Sequence, residues 1–116
     1  MEEAIMNTNQ FSKTAASFFS DCLSILEEKG RGYTQNDQHD RLLHFKRCGA
    51  VDGETPEQAL KGQWKKHLVS VLDIVKMTEE CPNELSIDFI NEKLMDSVNY
   101  HALLYGLLMD RLKKEI

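Results

Sequence analysis

The stretch "SIDFINEKLMDSVNYHALLYGLLMDRLKK", residues 86–114, decides the fold. Its spacing predicts one long helix, with Ser86 as its cap and Ile87 as its first residue. One face carries Ile90, Leu94, Val98, Tyr105, Leu108 and Leu112. The opposite flank carries Glu92, Asp96 and Asn99, then Leu103 and Leu107 on the same line. A helix apolar on both sides is either central in a bundle or shared with a second subunit. A chain of 116 residues has few places to hide such a helix, so the expectation is a homo-oligomer, a dimer or higher.

The rest of the chain supplies its partners. "NQFSKTAASFFSDCLSILEEKG" predicts a first helix with Phe11, Ala15, Phe18, Cys22, Ile25 and Leu26 as its stripe, ended by Lys29 and Gly30. "RGYTQN" then reads as a turn. A short helix is expected from about Asp37 to Gly49, with Leu42, Leu43 and Phe45 inward. Thr55, Pro56 and Gln58 form the clearest start signal, a capping box with Pro at the first helical position. The helix they open runs to about Met77, with Leu60, Trp64, Leu68, Val71 and Val75 as its stripe. No strand pattern competes. The sequence predicts a single all-α domain over residues 1–116, a bundle of three long helices and one short one.

Composition narrows the function. A formal net charge of −5 argues against a broad nucleic-acid-binding surface, though not against a local basic pocket for one phosphorylated molecule. The longest apolar run, "ALLYGLLM", is far short of the roughly 20 residues a membrane span needs. Residues 1–20 lack the pattern of a secretory signal, so the expected location is the cytoplasm. Three cysteines with no CxxC pair, and four histidines with no zinc spacing, read as reduced structural thiols and ordinary histidines.

Chemistry concentrates in two helices. Glu92, Asp96 and Asn99 share one flank, and their oxygens suit Mg²⁺; they read equally as a solvated edge beside Lys93. In "QWKKHLVSVLD", His67 reads either as a hydrogen-bonded core histidine or as a phosphate donor or base, with Lys66 on the neighbouring line. Lys29, Arg31 and Tyr33, and Arg41, Lys46 and Arg47 around Phe45, place cations beside aromatic rings, a pairing that grips phosphate and base together.

The order "ILEEKGRGYTQND", "DRLLHFKRCGAVDGETPEQALKGQWKKHLVSVLDIV" and "NEKLMDSVNYHALLYGLL" resembles a group of small phage proteins. Those in turn resemble the nucleotide-modification-associated proteins and the all-α, MazG-like nucleoside triphosphate pyrophosphatases. The resemblance spans about residues 24 to 110. It implies a helical bundle, usually dimeric or tetrameric, in which Mg²⁺ is held by a Glu-x-x-Glu on one helix and a Glu-x-x-Asp on a later one. The later motif falls on "EKLMDSVNY", making Asp96 a ligand, Asn99 a base or ribose contact and Tyr100 a stacking or hydroxyl partner. The earlier motif is missing: the third helix offers Gln63, Trp64, Lys65, Lys66 and His67 where acids are needed. Lysines there repel Mg²⁺ and attract phosphate.

The leading expectation is a phage-type protein that holds a phosphorylated nucleotide without a cofactor, sequestration of a host defence signal being one form of that role. Its ligand-binding residues are Lys66, His67, Asp96, Asn99, Tyr100, Tyr33 and Lys46. The alternatives are a Mg²⁺-dependent nucleoside triphosphate pyrophosphatase, with Glu92 and Asp96 on the metal, and a protein–protein interaction module.

Overall fold

The computed structural model describes residues 5–33 and 40–114. Over these residues the chain is an all-α helical bundle with no strand. Its helices are α1 (Thr8–Tyr33), α2 (Leu43–Asp52), α3 (Pro56–Glu80) and α4 (Ile87–Lys114), with one turn of 3₁₀ helix at Pro82–Glu84.

Three of the four helices begin on a side-chain cap. Asn7 and Gln10 exchange side-chain and backbone hydrogen bonds at 2.9 Å in both directions, opening α1. The Asp40 carboxylate accepts from the Leu42 amide just before α2. Thr55 and Gln58 form the reciprocal capping box the sequence announced, with Pro56 as the first helical residue. Ser86 accepts from the Phe89 amide and starts α4. Orphan amides at the starts of α1, α3 and α4 are thereby satisfied.

Helix ends depart from expectation in two places. α1 does not stop at Lys29 and Gly30 but continues to Tyr33. Gly30 is buried inside it because the Arg41 side chain lies across that position. α2 likewise runs past Gly49 to Asp52 and ends on Gly53, the residue in the left-handed conformation at φ 68°. Gly49 has a packing role instead: a Cβ there would come within 2.7 Å of the Glu54 carbonyl oxygen. The expected start of α2 near Asp37 lies outside the described residues.

The core is small. Phe45 of α2, Leu60 of α3 and Leu107 of α4 are buried together, with Leu42, Trp64, Tyr100, Leu103 and Leu104 packed against them. Leu60, at 1% exposure, is its most enclosed large side chain. The inward line of α3 is Leu60, Trp64, His67, Val71 and Ile74, not the line through Leu68 and Val75, both of which are exposed. Steps of four residues rotate about 40° round a helix, so two in succession carry Leu68 off the face.

α4 also turns the other way from the larger apolar face. The flank with Asn99, Leu103 and Leu107 points inward, while Tyr105, Leu108 and Leu112 are exposed. Ser97 and Asn99 are buried on that side and Asp96 is half-buried, whereas Glu92 is exposed. α3 and α4 form the main packed pair; α2 lies on α3, and α1 lies on α4.

Candidate functional site

Where α1, α2, α3 and α4 converge, a cleft of about 90 Å³ opens. Its walls are Leu26 and Lys29 from α1, Arg41 just before α2, His44 and Phe45 from α2, Gln63 from α3, and Asp96, Asn99, Tyr100 and Leu103 from α4. A second recess of about 150 Å³, lined by Asp40, Arg41, Leu43, His44 and Arg47, shares the Arg41 and His44 side chains with the first. Both recesses are too small to enclose a whole drug-sized molecule, which takes roughly 300 Å³ or more. They are sized to hold part of a ligand each.

Asp96 is the pivot. Lys29 Nζ meets its Oδ1 at 3.1 Å, and His67 Nδ1 lies 3.9 Å from its Oδ2. The aspartate is therefore neutralised by a lysine from another helix. Asn99 is buried, and its Nδ2 donates to the Cys22 carbonyl oxygen at 3.0 Å, tying α4 to α1. Arg41 donates to the Leu26 carbonyl oxygen at 3.4 Å, a third polar tie to the same stretch of α1.

Behind Asp96 stands an aromatic row. The Tyr100 ring lies parallel to Trp64 with centroids 6.3 Å apart, and against His67 at 5.0 Å. Trp64 Nε1 donates to the buried Ser97 hydroxyl at 3.3 Å, and its ring meets His101 edge-on. Tyr100 therefore packs on Trp64 and His67 of α3 while it lines the cleft. Burial pushes the His67 pKa below its ordinary value of 6.5; Asp96 pulls it upward, while Lys66, Lys93 and Lys29 add to the depression. At neutral pH the imidazole is therefore uncharged.

On the α2 wall, His44 Nε2 and Gln63 Oε1 are 3.2 Å apart, and the Cys48 thiol lies over the same imidazole at 3.7 Å. Cys22, Cys48 and Cys81 are all free cysteines.

Of the residues the sequence singled out, Asp96, Asn99 and Tyr100 share the cleft, and His67 stands directly behind two of them. Lys66 is exposed on α3 and is not part of the wall, nor is Lys46, which pairs with Asp40 and Asp110. The Tyr33 side chain lies outside the described residues. Glu92 is exposed and pairs with Lys93 at 3.8 Å, away from the cleft wall. Among the described residues no three His, Cys, Asp or Glu side chains are grouped to hold a metal ion. Asp96 lines the cleft beside Lys29, and Glu92 lies outside the cleft wall.

The cleft also recruits residues that sequence spacing did not select. Lys29 and Arg41 were legible only as cations near aromatic rings, and His44 and Gln63 carried no signal. Their convergence depends on the packing of α1 and α2 against α3 and α4. Comparisons with protein-family models, with curated proteins and with solved structures found no match for this chain. No helix among the described residues is long and apolar enough to cross a membrane.

Proposed function

We propose that this protein binds a phosphorylated nucleotide, with phosphate held at the Arg41–His44 wall and the sugar or base reaching the Asn99–Tyr100 side of the cleft. One observation carries the reading: in a chain of net charge −5, Lys29, Arg41 and His44 converge from three segments on a single cleft. Lys29 pairs with Asp96, and the guanidinium of Arg41 lines the same cleft. A planar guanidinium is well suited to two phosphate oxygens at once. Arg47 extends the same charge into the adjoining recess, where the acid Asp40 is paired with Lys46. Asn99 and Tyr100 offer the polar edges a ribose or base needs.

Holding rather than cleaving is the favoured activity. Pyrophosphate release through Mg²⁺ requires carboxylates that converge on the metal. Here Asp96 faces a lysine and Glu92 lies on the surface. Sequestration of a signalling nucleotide, in a phage setting, is the form of binding that agrees with the resemblance of the sequence.

Calorimetric titration with ATP, pyrophosphate and a cyclic dinucleotide tests the proposal. At least one should bind, with affinity unchanged by EDTA and at least tenfold weaker in Arg41→Ala. Lys66→Ala, off the cleft wall, should bind as the wild type does. Equal affinity in Arg41→Ala and wild type would remove Arg41 from the role assigned to it.

A further inference from the structure

We propose that Cys48 is a reactive thiol, primed by His44 and Gln63, that exchanges with small anionic disulfides. The site touches one wall of the ligand cleft and stands whether or not the cleft holds a nucleotide. α2 sets His44 and Cys48 four residues apart, on one face of the helix. The Cys48 Sγ lies 3.7 Å from His44 Nε2 and 3.9 Å from Nδ1. From α3, Gln63 Oε1 stands 3.2 Å from the same Nε2. An amide oxygen only accepts, so Nε2 carries the ring hydrogen and Nδ1 is the nitrogen left to take a proton. The Phe45 ring meets the imidazole edge-on, with centroids 5.3 Å apart, and holds it from a second side.

A thiol, an imidazole and a group that orients the imidazole are the parts of an activated nucleophile. Pairs of this kind are long in the free protein and tighten when the reaction partner arrives. The other two cysteines show how the chain keeps a thiol inert, since a raised pKa leaves less thiolate at neutral pH. Cys22 is 4% exposed, and burial, with Asp21 adding, raises its pKa. At Cys81, desolvation and the carboxylates of Glu84 and Glu80 act in the same direction. Cys48 is half-buried and so within reach of a small reagent. Beside its His44 partner, Arg41 and Arg47 line a recess whose acid, Asp40, is paired with Lys46. Cations near a thiol favour its thiolate and draw anionic reagents toward it.

Exchange with a disulfide needs a thiolate, access to it and a proton for the departing sulfur. His44 Nδ1 takes the proton from Cys48 Sγ. The thiolate attacks one sulfur of the incoming disulfide, forming a new S–S bond as the old one breaks. The departing thiolate then receives the proton from His44 and leaves as a thiol. Cys48 is oxidised to a mixed disulfide, half of the reagent is reduced, and no further reactant is consumed. Gln63 holds the imidazole in the tautomer the first step requires, so it is a positioning residue.

Incubation of the full chain with glutathione disulfide at neutral pH, quenched in acid and read by peptide mass mapping, tests the proposal. Cys48 should carry the adduct, with Cys22 and Cys81 modified roughly tenfold more slowly or less. His44→Ala and Gln63→Leu should each slow the reaction at Cys48 while keeping their helical content by circular dichroism. Neutral hydroxyethyl disulfide supplies the control for charge. The rate with glutathione disulfide, relative to that control, should fall as salt is raised. Modification of Cys81 as fast as Cys48 would overturn the proposal. So would folded His44→Ala and Gln63→Leu variants that both react at the wild-type rate. A rate ratio indifferent to salt would overturn the choice of an anionic partner.

Discussion

Gly30 and Arg41 meet inside the bundle, and a Cβ on Gly30 would come within 2.5 Å of the Arg41 Nε. A guanidinium arm can swing aside, whereas the backbone of α1 cannot. Gly30→Ala should therefore leave stability equal or raise it by up to about 1 kcal/mol, the helix propensity gained. It should also weaken anion binding by displacing Arg41 from the cleft. A thermal melt beside a titration separates these outcomes; a variant that keeps full affinity would show that the position of Arg41 is immaterial. His67 makes a second prediction. Its folded pKa lies below 6.5, so between that value and 6.5 the unfolded chain binds a proton that the folded one excludes. The contribution is complete above pH 6.5 and is lost as pH falls below it. His67→Gln should lessen the fall in melting temperature as pH drops below 6.5. An unchanged slope would place the titrating group elsewhere. Asp96, Asn99 and Tyr100 were legible because polar residues interrupting an apolar helix have to be satisfied by something. Lys29, Arg41 and His44 were not, since nothing in their local spacing distinguishes them from cations on an ordinary helix end.

Among the elements, α3 was the easiest to read and shows why. Its start is coded by adjacent residues, and the Thr55–Gln58 exchange, at 2.8 and 3.1 Å, is the interaction that code describes. Thr55→Ala should cost about 1 kcal/mol, measured by urea denaturation. A loss under a few tenths would mean that the turn beside Gly49 holds the helix start by itself. The faces of α3 and α4 were harder. Both helices carry more apolar positions than the single chain buries, so hydrophobicity could not tell the inward line from the outward one. On α4 the decision falls to polar partners: Asn99 has the Cys22 carbonyl, Ser97 has the Trp64 indole, and Asp96 has Lys29. The end of α1 was misread for a related reason. Gly30 has the form of a helix stop, but it serves as the flat seat for a side chain arriving from the next segment.

At the scale of the whole molecule, the cleft marks where α1 is fastened to the rest of the bundle. α1 reaches the bundle through α4 and through polar ties from Asn99, Lys29 and Arg41, all at the cleft. Further toward its start, Lys13, Ser17 and Phe18 of α1 border another recess with Asn91 and Met95 of α4. The proposed function is that the cleft binds a phosphorylated nucleotide and leaves it intact. The most direct measurement incubates the protein with a mixture of common and signalling nucleotides, with and without Mg²⁺. Free ligand is then removed, the protein denatured, and whatever it releases identified by mass spectrometry. The account predicts one intact nucleotide, in equal amount with and without the metal, and absent from Arg41→Ala. A monophosphate with pyrophosphate that forms only with Mg²⁺, or no retained nucleotide at all, would contradict it.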